Sequence, residues 1–369
     1  RKQYLTLIYV IINMNKYTLI VLLFFYFISN SQNRSKYSNE FLNIGVDARS
    51  IGMANAVVSS VKDVNSTYWN PAGLLNIDRD EVSLMHSNYF ANIANYNYLS
   101  YAKKIDNESA LGFSIIRFGV DDIMDTTQLI DSQGNIDYNR IELFSAADYA
   151  FLFSYAKRNK FLNINYGVNL KIIRRVIGDF ANSWGFGFDL GIQHENQNGW
   201  KFGIMIRDIT TTYNSWSFNQ EKLNDIQNAL DGQNQEIPEK NEISIPKMQI
   251  GLSKDIFLNN EYSMLAAFDL FILFEQTNDL ISTSFASINP SLGFEVGYID
   301  LIFLRLGLGN FQNELQYDSS TELSFQPNFG IGFNLNNIEI NYAFTDIGNQ
   351  SAALYSNIFS VKFNLNILR

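Results

Sequence analysis

Phe359-Ser360-Val361-Lys362-Phe363-Asn364-Leu365-Asn366-Ile367 sets how the rest of the chain is read. Its odd-numbered positions are all apolar and its even-numbered positions are Ser, Lys, Asn and Asn. Successive side chains leave a strand on opposite faces, so this alternation describes a strand with one greasy and one wet face. Moving back toward the amino terminus, the same period recurs near 338–347, 326–336, 301–312, 291–300, 262–274 and 246–256. It continues near 200–209, 184–195, 161–179, 146–157, 110–120, 96–105 and 82–89. About fourteen strands are expected.

The connections sort by parity. Those after even-numbered strands are short, as at Arg158-Asn159-Lys160, Leu258-Asn259-Asn260 and Asn336-Asn337. Several after odd-numbered strands are long, at 121–145, 210–245, 275–290 and 313–325. Tight turns on one side and long loops on the other characterise a bacterial outer-membrane barrel, with both termini on the periplasmic side. In a soluble β-sandwich, the alternative, the apolar faces would pack against a second sheet. Composition favours the barrel: aromatic residues are 15% and charged residues 17%, and a mean hydropathy of -0.09 is too polar for helical spans. That balance suits strands with a lipid face, a polar face and aromatic girdles.

The formal charge is -10, from 27 basic and 37 acidic residues, which argues against nucleic acid as a partner. There is no Cys, which excludes thiolate metal ligands and Cys nucleophiles. Met14-Asn15-Lys16 followed by Tyr17 to Ile28 and the small-residue exit Ser29-Asn30-Ser31 reads as a signal peptide. The expected layout is therefore upstream translation at 1–13, signal peptide at 14–31, an amino-terminal luminal segment at 32–80 and barrel at 81–369. Without Arg1, Lys2 and Lys16 the basic count falls from 27 to 24, and the net charge against 37 acids is near -13.

Residues that could carry chemistry are few. His86 and His194 lack any accompanying nucleophile motif, so no catalytic residue, cofactor or resident metal is expected. Asp121, Asp122, Asp125, Asp131 and Asp137 around Gly134 could hold Ca²⁺, but they read more simply as a solvated loop. Arg117, Arg174, Arg175, Arg207 and Arg305 interrupt apolar strands, and most of them should face inward or sit at an interface. Recurrent strand glycines, among them Gly112, Gly167, Gly191, Gly203, Gly251, Gly293 and Gly307, fit a wall wrapped around an internal segment.

That internal segment has its own signature. Phe41-Leu42-Asn43-Ile44-Gly45-Val46-Asp47-Ala48-Arg49-Ser50-Ile51-Gly52-Met53, then Tyr68-Trp69-Asn70-Pro71-Ala72-Gly73-Leu74, resembles the opening of the PorV and PorQ family of the Bacteroidota. Leu304 to Gly309, Pro327 to Phe333 and Asn341 to Thr345 extend the resemblance along the mature chain. It implies an all-β, about 14-stranded antiparallel transmembrane β-barrel of the FadL-like superfamily, with a short, partly helical amino-terminal segment in the lumen. Gly45, Arg49, Gly52, Met53, Trp69, Asn70, Pro71, Ala72 and Gly73 would be plug and fold residues. Asp47 departs from the family pattern, which usually has a small residue there, often Gly.

The resemblance further implies an outer-membrane location and a part in type IX protein secretion. The expected partners are outer-membrane lipids, translocon or attachment-complex proteins, and secreted cargo carrying carboxy-terminal signal domains. The apolar residues among polar ones in the loop at 210–245, Trp216, Phe218, Ile226 and Leu230, are candidate cargo contacts. A FadL-like channel for hydrophobic small molecules stays open as the alternative.

Overall fold

The computed structural model describes residues 39–90, 92–130, 133–223, 240–316, 320–345 and 356–365. The proposed leader at 1–31, Ile226, Leu230 and Asp131 lie outside the described residues. From Asp80 onward the chain is antiparallel sheet. It comprises β1 (Asp80–Tyr89), β2 (Ala94–Lys104), β3 (Ser109–Asp125), β4 (Glu142–Asn159), β5 (Ile164–Ile177) and β6 (Ala181–Glu195). Then come β7 (Trp200–Arg207), β8 (Thr212–Phe218), β9 (Asn241–Ser244), β10 (Lys247–Phe257), β11 (Tyr262–Leu273) and β12 (Ile281–Ser282). The last are β13 (Ser287–Tyr298), β14 (Ile302–Leu315), β15 (Thr321–Leu335), β16 (Ile338–Thr345) and β17 (Ser356–Leu365).

Most strands pair with their neighbours in sequence, and β17 returns to pair with β1 from Asp80↔Leu365 to Asn88↔Asn357, so the sheet closes. Closure leaves no unpaired edge, which is the condition for a sheet to live in lipid. β7 and β8 both run along β6, and β9 and β10 face β8 and β7, so each pair is one broken stave. With β12 a short addition at the rim against β13, fourteen staves circle the barrel.

The expected strands are all present, but the upper ends run further than the hydropathy pattern suggested. β3 reaches Asp125, β4 starts at Glu142 and β15 at Thr321, and β8 and β9 occupy sequence expected as loop. The reason is compositional. In Thr212-Tyr213-Asn214-Ser215-Trp216-Ser217-Phe218 both faces carry polar groups, so apolar alternation is lost although the backbone stays extended. Trp216 and Phe218 therefore belong to the wall, and the long loop begins after them.

Along the strands buried and exposed positions alternate, as in β6 and β17. The outward set is apolar, for example Phe186, Phe188, Leu304, Leu306 and Phe359, each about half exposed, as a lipid-facing surface requires. The inward set is largely small or polar, with Ser100, Ser114, Ser154, Asn169, Asp189 and Asp269 fully buried. Polar residues are buried in that way only when something inside the barrel bonds them.

Candidate functional site

Residues 39–79 bond Ser100, Ser154, Asn169 and Asp269, and Lys171 of the wall bonds Asp189. A 3₁₀ turn at Glu40–Asn43 leads through Gly45 to α1 (Ala48–Gly52), then to α2 (Ser66–Trp69) and a second 3₁₀ turn at Pro71–Asn76. These helices are too short to hold themselves in water, so their order comes from the wall around them. Contacts leave this segment toward staves all round the barrel. The Ala48 amide donates to Ser360 Oγ at 3.1 Å, Val58 N–H to Asp269 at 3.0 Å, and Ser59 meets Ser253 at 2.8 Å. Thr67 shares its hydroxyl with Ser100, and its carbonyl accepts from Asn169 at 3.0 Å. Asn39 donates to Ser244 at 2.8 Å. The lumen is filled.

Asn70-Pro71-Ala72-Gly73 is its most tightly held part. The Asn70 side chain is fully buried and donates to the carbonyls of Val58 (2.9 Å) and Ile192 (3.0 Å) while accepting from the Ala72 amide (3.2 Å). It thus caps the second 3₁₀ turn, whose first residue is Pro71, where a missing N–H costs nothing. Wall glycines make room for this box. A Cβ on Gly191 would lie 2.1 Å from Asn70 Oδ1, and one on Gly167 2.5 Å from the Pro71 carbonyl carbon. Gly73 turns inward within the segment, against the Val61 carbonyl and Ser66.

The first motif folds onto the second. Gly45 has φ +96°, which only glycine adopts without strain, and its α-carbon faces the Trp69 ring. Trp69 Nε1 donates to the Val46 carbonyl at 3.0 Å, Tyr68 donates to the Leu42 carbonyl, and the Tyr68 and Trp69 rings pack edge to face at 4.8 Å. Arg207 reaches in from β7 to stack its guanidinium 4.3 Å from the Tyr68 ring. Gly52 abuts the Gly330 backbone, and buried Met53 rests against the notches of Gly293 and Gly307. Gly45, Gly52, Met53, Trp69 and the Asn70–Gly73 box thus pack against one another and the wall.

Arg49 enters a charge network that spans plug and wall. It makes a bidentate pair with Glu295 (2.8 and 2.9 Å), which also accepts from Arg305 at 2.6 Å. Arg305 continues to Glu339 (3.7 Å), Glu339 to Lys362 (2.6 Å) and Lys362 to Asp63 (2.8 Å). Glu81 receives the Val64 amide at 2.8 Å. Burial opposes charge on Arg49, but the Glu295 carboxylate more than offsets it and holds the guanidinium ionised. Asp47 shows the opposite balance. Burial, then the charges of Asp63 and Glu339, push its carboxyl up despite the Ser360 hydrogen bond. Asp47 also sits at φ 70°, a backbone conformation that strains any residue but glycine.

A second cluster lies higher in the lumen, where Lys171 pairs with Asp189 (3.0 Å) and Asp208 (2.5 Å). Asp208 belongs to the first of the two breaks in the wall, at 208–211 and 245–246.

The remaining candidates are dispersed. Arg175 and Arg305 face the lumen like Arg207, whereas Arg117 and Arg174 stand on the outer face, the latter stacked 4.8 Å from exposed Trp184. On that face both guanidiniums have partners, Arg117 in Asp121 and Arg174 in the Trp184 ring and Asn182. His86 bonds Asn97 on the outer wall, and His194 bonds the Asn163 carbonyl near a short turn. Asp121 pairs with Arg117, Asp125 accepts from Thr127 and Asp137 caps its own turn. Among the described residues no three acids or His converge as a metal site. Trp216 is buried, its ring stacked on Phe218 at 6.2 Å and under Arg175 at 5.0 Å, so it has no free face for a partner.

The network is what sequence reasoning missed: Glu295, Glu339 and Lys362 are strand residues whose inward parity is readable but whose convergence is not.

Among solved structures, the toluene transporter TodX of Pseudomonas putida superposes with a TM-score of 0.53 at 13% identity, over 87% of this chain and 98% of that one. The CymD monoaromatic hydrocarbon channel gives 0.53 at 12%, over 88% and 99%. At such identities the likeness establishes the fold alone. None of the curated proteins matches the sequence. Residues 28–246 match the family of the type IX secretion system protein PorV, a span that covers both amino-terminal motifs and more than half the chain. The plug motifs, the closed fourteen-stave wall and this match agree, and the chain belongs to the PorV family of outer-membrane β-barrels.

Proposed function

We propose that this protein is a non-enzymatic accessory barrel of type IX secretion that engages exported proteins at its surface rather than conducting solutes through its lumen. The observation that carries this reading is the filled lumen. Residues 39–79 bond staves all round the barrel, and the wall glycines leave notches that match the backbone of this segment. Emptying the pore would require breaking buried hydrogen bonds at about 1–3 kcal/mol for each group left unsatisfied. Cargo with carboxy-terminal signal domains would then meet the long-loop rim, through the connections 126–141, 219–240 and 274–286. Translocon or attachment-complex proteins are the expected companions.

A hydrophobic-solute channel, such as the monoaromatic hydrocarbon channel CymD, is the competing use of the same fold. Its route through the wall would be the paired breaks at 208–211 and 245–246. Buried Asp208 belongs to the first break and pairs with buried Lys171, which also holds Asp189, and charges desolvated by a passing apolar solute would oppose it. The test is a pull-down of the tagged protein from native outer membranes after crosslinking, with and without the loops 126–141 and 219–240. Co-purified secretion components that are lost with the loops support the proposal. Unchanged cargo release from the loop-deleted strain, with lipid retained in the purified lumen, would overturn it.

A further inference from the structure

The outward face of the barrel is not uniformly apolar. On β11 the outward residues above Tyr262 are Met264, Ala266, Phe268, Leu270 and Ile272, and on β13 an unbroken apolar column runs from Tyr298 to Ile288. On β1 and β2 that column stops early. Leu84 and Leu99 face each other in register, but the next two outward pairs are His86↔Asn97 and Asn88↔Asn95. Each adjoining strand adds one polar residue to the row, Asn357 opposite Asn88 and Arg117 opposite Asn97, while Phe359 stands opposite His86 and Gly119 opposite Asn95. Above them, at the β1–β2 turn, Phe90 and Ile93 are again exposed, at 43% and 62%.

The depth of this interruption can be worked out. At ~3.3 Å per residue and a tilt of roughly 40°, His86 stands about 15 Å above the short-turn rim at Asp80, Asn88 about 20 Å and Phe90 about 25 Å. An apolar band on the order of 25 Å tall therefore contains the polar row, with greasy residues below and above. Lipid tails cannot bond amides. The internal pairs, His86 to Asn97 at 2.7 Å and Tyr342 to Asn357 at 2.6 Å, use only part of their capacity, since each Asn has two donors and an acceptor.

We infer that the face made by β17, β1, β2 and β3 is a lateral docking surface for a second membrane-embedded protein, one that presents neutral hydrogen-bonding groups at the same depth. The chemistry selects this occupant. The row is amide and imidazole, and its one cation, Arg117, is already paired with Asp121 at 2.7 Å, so it offers no strong site for an anionic lipid headgroup. In a low-dielectric layer such amide contacts fix orientation between membrane proteins. The inference rests on the accessory reading above for the identity of the partner, but not for the face.

The test places a photo-crosslinking amino acid at Asn97, with the same substitution at Phe268 on the opposite face, in cells that carry the full-length protein. One heterologous outer-membrane adduct from position 97, absent from 268 and weakened at least tenfold by joint Asn88→Leu and Asn95→Leu substitution, is the expected result. If that partner is not a secretion component, the docking face stands and the accessory reading falls. An adduct of twice the chain's mass, or lipid adducts alone, would overturn the inference. A nitroxide at Asn97 serves as a second measurement: water-exposed relaxation there would place the row above the membrane and also overturn it.

Discussion

Replacing Asn70 tests whether the lumen is sealed by specific bonds or only occupied. Asn70→Ala removes four buried interactions, to Val58 O, Ile192 O and, at 3.4 Å, Ile204 O, and from Ala72 N–H. The Val58 carbonyl keeps a second donor, Gln193 Nε2 at 3.1 Å, so it is not orphaned. The Ala72 amide and part of the Ile192 carbonyl's bonding are left without replacement. At about 1–3 kcal/mol for each orphaned group, the expected loss is roughly 2–4 kcal/mol. Asn70→Asp should cost more at neutral pH. It keeps an acceptor for Ala72 but turns a carboxylate oxygen toward three carbonyls, and it should recover partly as pH falls toward ~4 and the carboxyl protonates. Denaturant unfolding of the refolded barrel in micelles measures the loss, and conductance in planar bilayers reports whether the plug leaves. Asn70→Ala with parental stability and a silent pore would refute the idea that this box locks the segment in place.

Three other outcomes follow from the same geometry. Asp47→Asn should be more stable than the parent, by a margin that widens with pH. The raised folded-state pKa means that the protonated carboxyl's contribution is complete below ~3.9 and is lost as pH rises through the folded value; a margin independent of pH in unfolding titrations would contradict this. Glu295→Ala should cost about 3–5 kcal/mol, because it leaves two buried guanidiniums short of a partner, whereas Arg49→Ala leaves Glu295 still held by Arg305 and should cost less. A double-mutant cycle in the same unfolding assay should find the two changes strongly non-additive. Gly167→Ala places a methyl 2.5 Å from the Pro71 carbonyl carbon and should cost at least 1–3 kcal/mol of overpacking, where Gly199→Ala, with open space around it, should carry only the local strain of its φ of +75° in an exposed turn and leave barrel packing untouched. Heat-modifiable migration of the two variants on gels compares them directly.

Period-two alternation set the strand count, the closed antiparallel class and the parity of the loops, because inside or outside is decided one residue at a time along a strand. Gly45 and Pro71 were equally legible, since their backbone requirements are local. The polar staves β8 and β9 escaped notice because Thr212 to Phe218 place hydrogen-bonding groups on both faces. Register was invisible for a related reason. Which carboxylate meets Arg49 depends on how far β13 is shifted against β14 and on where the plug rests, and that sums contacts between residues hundreds of positions apart. The same holds for the His86–Asn97–Arg117 row, whose residues look unremarkable singly and become a band only when neighbouring strands set them at one depth. Local chemistry thus determined that this chain is a wall around a plug; long-range packing alone decided which side chains meet inside it and which stand together in the lipid.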